Sequence, residues 1–253
     1  MPMLRSLTKR GWRDHIASLK RQADAGEVSA MTDLGLNLLE GIQDLKGRSM
    51  VRRNPRVAIT WFRRAANRGD SSAASSLGYA YSVGLGTKRN VALAIRWYRR
   101  AARSGDSTAT YNLATVYRDA GKARLAFQWW KRASDMRDGE AAVDVGYCYQ
   151  CCIGTRKNAA NAKRMFRRAI ASRDISQYGR EEGMYHLAVQ FIDEGKRQLA
   201  FPLLKHASAD DDFPEAASVL NQLRTESEYI PCRCKRFINK QLRGRTKCLL
   251  HTR

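Results

Sequence analysis

Ten residues are written almost twice: "WFRRAANRGD" begins at Trp61 and "WYRRAARSGD" at Trp97. Further copies follow, "WWKRASDMRD" from Trp129, "MFRRAIASRD" from Met165 and "LLKHASADDD" from Leu203, at spacings of 36, 32, 36 and 38 residues. Between these W segments runs a second kind, the L segment. Its copies are "AMTDLGLNLLEG" from Ala30, "AASSLGYAYSVGLG" from Ala73, "ATYNLATVYRDAG" from Ala109, "AAVDVGYCYQCCIG" from Ala141 and "GMYHLAVQFIDEG" from Gly183. A chain that repeats two segments at this period folds as stacked helix pairs, because no single pair can bury its apolar face alone.

Both segments carry the 3.6-residue spacing of amphipathic helices. With Trp61 set at 0°, Ala65, Phe62 and Ala66 fall at about 40°, 100° and 140°, one apolar arc centred near 70°. A buried place for Trp61, Trp97 and Trp129 between layers is therefore expected. A small residue stands four positions before Leu34, Leu77, Leu113, Val145 or Leu187. With Gly35, Gly78 and Gly146 it allows two helices to approach closely. Gly69 and Gly105 end one helix, and Asp70 and Asp106 suit the cap of the next. Gly84 and Gly86 in "GLGTKRN" supply the positive φ of a tight turn.

The full pattern, A-x3-LG-x2-Y-x2-G-x-G-x3-N-x-A-x-A-x2-W-[YF]-R-x-AA-x2-GD, resembles the SEL-like (Sel-one-like) repeat, a relative of the tetratricopeptide repeat. Ala73 to Asp106 match nearly throughout and Ala141 to Arg173 match well. The copy from Ala30 carries an insertion, Ile42 to Arg53, and the copies from Ala109 and Gly183 lack the Gly-x-Gly turn. Arg13 to Gly26 reads as the second helix of an incomplete first unit, and Ala216 to Leu223 as a closing cap. The resemblance implies an all-α fold, a right-handed α/α superhelical solenoid of about eleven helices over residues 13–224. A basic lead (1–12) and a basic tail (225–253) flank it. The resemblance also implies an adaptor that assembles other proteins, although architecture is what such a match speaks to first.

Charge is large and uneven. The net value is +22. Gly41 to Arg137 holds 20 Lys/Arg against 5 Asp/Glu, and Pro231 to Arg253 holds 8 against none. Such a balance suits polyanionic or acidic partners. Arginine outnumbers lysine 33 to 13, which a GC-rich genome also produces. No apolar run is long enough for a signal peptide or a membrane span, so a cytoplasmic protein with reduced cysteines is expected.

The W segments place paired basic residues at Arg63/Arg64, Arg99/Arg100, Lys131/Arg132 and Arg167/Arg168. In the helical frame each pair flanks the buried arc on opposite sides, so stacking makes two basic rows. As solvated flanks they solubilise; as rows with few acids three or four residues away they form a docking surface. Two functional readings follow. The first is a non-catalytic scaffold that holds proteins with acidic surfaces. The second is a nucleic-acid-binding protein, favoured if Arg56, Arg63, Arg99, Arg103 and Arg132 share one face.

No phosphate loop, nucleophile elbow, zinc-protease motif or dinucleotide fingerprint occurs, and no enzyme or small-molecule substrate is expected. Cys148, Cys151 and Cys152 stand where Ala80, Val83 and Gly84 stand in another copy, so they read as small packing residues before they read as metal ligands. The tail differs. Cys232, Cys234, Cys248 and His251 are spaced C-x-C-x13-C-x2-H, a tetrahedral set for one structural zinc. The few apolar residues around them need such a staple.

Overall fold

The structure, a computed structural model, describes residues 8–43, 47–209 and 213–224. The described residues form twelve helices and one two-stranded sheet, one helix more than the repeat count leads one to expect. The chain divides into two compact units, Met1–Val116 and Tyr117–Arg253.

Unit 1 contains α1 (Lys9–Asp24), α2 (Val28–Glu40), α3 (Pro55–Asn67), α4 (Ser71–Val83) and α5 (Val91–Arg103), with most of α6 (Ser107–Asp119). From α1 to α5 each helix packs on its successor. The insertion after α2 is a hairpin: β1 (Ile42–Gln43) runs antiparallel to β2 (Ser49–Val51), Ile42 opposite Val51. Unit 2 contains α7 (Ala123–Asp135), α8 (Gly139–Cys151), α9 (Ala159–Ile170), α10 (Gln177–Asp193), α11 (Arg197–Ala207) and α12 (Pro214–Arg224), again packed in chain order. The W segments are α3, α5, α7, α9 and α11, and the L segments are α2, α4, α6, α8 and α10. The incomplete first unit and the closing cap are α1 and α12.

Capping residues recur with the helices. The carboxylates of Asp70, Asp106 and Asp138 accept from the backbone N–H of Ala73, Ala109 and Ala141 at 2.6, 2.7 and 2.9 Å. Asn54, Asn90 and Asn158 cap α3, α5 and α9 in the same way. Each satisfies one of the four amides that a helix start leaves open. The last L helix begins six residues before Gly183. Ser176 caps it, and Glu140 on α8 accepts from the Ser176 amide at 3.0 Å, placing a carboxylate at the positive end of α10.

The core corrects one expectation. Trp61 is buried, but Trp97 and Trp129 are only half-buried; the following aromatics, Tyr98 and Trp130, are the enclosed ones. Ala94, Tyr98, Ala101 and Ala102 are the buried residues of α5 and centre its arc near about 85°, which leaves Trp97 at the edge. The facing helix decides this. A Cβ built on Gly78 would lie 2.5 Å from the Tyr98 ring, and Gly35 and Gly146 stand in the same relation to Phe62 and Phe166. The second aromatic of the W helix thus lies against a bare backbone, at a separation no larger residue allows.

Candidate functional site

The paired arginines divide their work. In the three pairs that follow a tryptophan the second member turns back over its ring, Arg64 at 4.7 Å from Trp61, Arg100 at 5.7 Å from Trp97 and Arg132 at 5.3 Å from Trp129. In α3, α5 and α9 the second member reaches the C-terminal end of the helix two before its own. Arg64 lies 3.7 Å from Asp24, Arg100 donates to the Asn67 carbonyl at 3.4 Å, and Arg168 donates to the Ser134 carbonyl at 2.6 Å with Asp135 3.7 Å away. A cation at the carboxyl end of a helix answers the unpaired carbonyls and the negative end of the dipole. Arg64, Arg100 and Arg168 therefore tie one repeat to the repeat before it, as well as carrying charge.

The first arginine of the pair is placed differently. Arg63 donates to the Tyr81 hydroxyl at 2.9 Å, Lys131 lies 4.0 Å from Asp135, and Arg167 lies 5.9 Å from the Phe191 ring. Arg99 is exposed, about 100° round α5 from Arg100.

In unit 1 the two kinds of arginine meet. An open cleft of about 380 Å³ lies between α3 and α5, lined by Arg63, Arg96, Arg100, Arg103, Tyr81 and Trp97, with Asn67 and Leu93. Arg96, Arg100 and Arg103 are spaced i, i+4 and i+7, one face of α5. Among the described residues no carboxylate lines this cleft. The larger hollow of unit 2, about 460 Å³, is unlike it: Asp138 and Asp174 stand among Arg137, Arg168 and Arg173. Of the five arginines whose common face would favour nucleic acid, Arg63 and Arg103 line the cleft. Arg56 and Arg99 do not, and Arg132 belongs to the other unit. Arg96 and Asn67 are members that the repeat pattern alone did not single out.

The other candidates are dispersed. Cys148 is buried, Cys151 is half-buried and Cys152 is exposed. Cys152 takes the left-handed place of Gly84, with φ of 59° against 81°. Packing accounts for the first of the three and a turn for the last. His186 stacks on Phe166 at 5.4 Å, with Tyr147 and Tyr185 edge-on at 5.1 and 5.2 Å. Burial lowers its pKa to about 4, so the ring is neutral. Its Nε2 lies 4.0 Å from Glu182, whose carboxyl is pushed up to about 7 by burial and by the Glu140 and Glu215 carboxylates. Among the described residues no three His, Cys, Asp or Glu side chains converge as a metal set. Cys232, Cys234, Cys248 and His251 lie outside the described residues. Nor is any helix among the described residues long and apolar enough to cross a membrane.

These helix pairs, with their glycine-aromatic contacts and aspartate caps, define a helical repeat protein. The Sel1 repeat family matches residues 28–70, 71–106, 107–138 and 139–174, more than half of the chain, and the chain belongs to that family. A Sel1 repeat protein from Oxalobacter formigenes is similar in fold, with 24% identity over 76% of this chain and 75% of that one, at a TM-score of 0.60. The c5321 protective antigen of uropathogenic Escherichia coli, which displays an SLR fold, is 21% identical over 85% of this chain, at a TM-score of 0.59. This chain spans about half of c5321, covering 52% of it. BtubC from P. vanneervenii is 16% identical over 89% of this chain and 94% of that one, at a TM-score of 0.54. No curated protein matches the chain.

Proposed function

We propose that this chain is a non-catalytic interaction scaffold that holds other proteins by their acidic surfaces. The observation that carries the reading is the unit 1 cleft, where four arginines converge and, among the described residues, no carboxylate lines the space. Like charges brought together raise the local potential, and an acidic partner relieves that repulsion while gaining charge-assisted hydrogen bonds. Repeat proteins of this kind present extended surfaces built from rigid helices, which suits docking better than bond-making chemistry. The arginines here belong to W helices fixed by aromatic contacts, so their spacing is set before a partner arrives.

Affinity purification of the whole chain from its own cell extract, with and without nuclease, tests the reading. Retained proteins that survive nuclease and elute with moderate salt are the expected result. Retention that disappears with nuclease would replace the scaffold by the nucleic-acid reading. Pure electrostatic binding to nucleic acid also weakens steeply with salt, so the nuclease arm is the one that decides.

A further inference from the structure

The W helices end on comparable residues. Asp24 closes α1, Asn67 closes α3, Arg103 closes α5 and Asp135 closes α7. Where the closing residue is aspartate, an arginine of the next W helix comes to it: Arg64 lies 3.7 Å from Asp24, and Arg168 lies 3.7 Å from Asp135. Lys131 adds a second cation at 4.0 Å from Asp135. Where the closing residue is Asn67, Arg100 donates to its backbone carbonyl at 3.4 Å, and among the described residues no carboxylate takes the place that Asp24 and Asp135 fill in the other copies. At the next place the sign is reversed, and Arg103 adds a cation to the same cleft. Arg96 and Arg103, both exposed, have no hydrogen bond or ion pair among the described residues.

We infer that the cleft between α3 and α5 takes a glutamate or aspartate side chain from an acidic segment of a partner protein, and that Asn67 is the residue that keeps it open. This deepens the scaffold reading and rests on it. The incoming carboxylate stands where the carboxylates of Asp24 and Asp135 stand in the other copies. Arg100 and Arg96 are the groups that meet it, and guanidinium groups match a planar carboxylate with paired donors. A space of about 380 Å³ holds an acidic side chain and the backbone that carries it. A nucleic-acid strand requires something else, a track of phosphate contacts with open ring faces for the bases. Here Arg100 already lies over the Trp97 ring at 5.7 Å, so that face is occupied.

The test uses the full chain and a fluorescein-labelled deca-glutamate peptide, read by anisotropy at low salt. A labelled deca-thymidine oligonucleotide serves as the competing probe. Asn67→Asp should supply the missing carboxylate internally and weaken peptide binding by about tenfold, the size of one lost charged contact. Ala171→Asp makes the same charge change at the corresponding place after α9, and should leave binding within about twofold, since Ala171 does not line the cleft. Arg96→Gln combined with Arg103→Gln should reproduce the loss without adding an acid. Equal losses in Asn67→Asp and Ala171→Asp would overturn the cleft while leaving a scaffold for acidic proteins standing. Failure of the wild-type chain to bind the peptide overturns the inference outright. Thymidine binding that is stronger than glutamate binding and is lost in Asn67→Asp would overturn both readings.

Discussion

Gly78 and Tyr98 offer a direct measure of what sets the distance between helices in a pair. Tyr98 is 1% exposed, and a Cβ on Gly78 would sit 2.5 Å from its Cδ1 and 2.7 Å from its Cε1. A ring so fully buried has no open space to move into, so Gly78→Ala forces the helices apart. Overpacking of this kind costs about 1–3 kcal/mol. Removing the ring with Tyr98→Ala costs about 3–5 kcal/mol through lost burial and the cavity it leaves. In the double variant the added methyl enters the vacated space, and the overpacking cost disappears. The double variant should therefore be no less stable than Tyr98→Ala alone, a departure from additivity of about 1–3 kcal/mol. Urea unfolding followed by far-UV circular dichroism reads all three, provided the slopes agree with the wild type. Trp97→Ala, at the half-buried neighbour, should cost clearly less than Tyr98→Ala. Additive single effects, or a larger loss at Trp97 than at Tyr98, would refute the packing described for α4 and α5.

Glu182 and His186 oppose one another in their pH dependence. Glu182 titrates near 7 in the fold against an ordinary 4.5, so its contribution to stability falls as pH rises from about 4.5 to 7. His186 titrates near 4 against 6.5, so its contribution rises from about pH 4 to 6.5. Glu182→Gln should leave only the rising limb and gain up to ~3 kcal/mol at pH 8; melts at pH 5, 6.5 and 8 that parallel the wild type would contradict this. Cys152→Gly, at φ of 59°, should stabilise by about 1 kcal/mol, seen as a higher urea midpoint at unchanged slope. Purified under reducing, chelator-free conditions, the whole chain should carry one zinc, which Cys234→Ser abolishes while helicity is kept; metal-free protein would remove the zinc site.

The helix pairs were legible because each copy writes its packing residues at the same spacing. Asp70 and Asp106 as caps, and Gly35, Gly78 and Gly146 as points of close approach, could be named from the repeat alone. The choice between Trp97 and Tyr98 could not. Successive residues differ by 100° on a helix, so both lie within reach of one buried face, and the larger ring draws the guess. What decides is the partner helix, where Gly78 is aligned with the second aromatic. The paired basic residues were visible for similar reasons, but the cleft was not. It depends on which arginine of α3 faces which arginine of α5, and on Asn67 standing where Asp24 and Asp135 stand. Arg96 was readable in principle from its i, i+4, i+7 relation to Arg100 and Arg103, a face orthogonal to the repeat consensus.

The hairpin after α2 shows where this architecture leaves room. Between α4 and α5, and between α8 and α9, seven residues connect the helices; between α2 and α3 there are fourteen. The ends of all three connections are nevertheless fastened alike. The amide of Asn54 donates to the Leu38 carbonyl at 2.6 Å, that of Asn90 to Tyr81 at 2.8 Å, and that of Asn158 to Tyr149 at 3.0 Å. Each asparagine then caps the helix that follows. The mouth of the loop is thus closed by the helices, and length can be added beyond the turn, where Gly86 and Gly154 pack closely on Pro55 and Ala123 at the starts of α3 and α7. Doubling a flexible loop adds only about 0.6 kcal/mol of closure entropy, small beside the burial that each helix pair provides. Foreign sequence inserted between Thr87 and Lys88, with the Gly86 turn kept against Pro55, should accordingly be carried by the scaffold without shifting the helices on either side, giving a pair joined by such a loop a place where new recognition can be added.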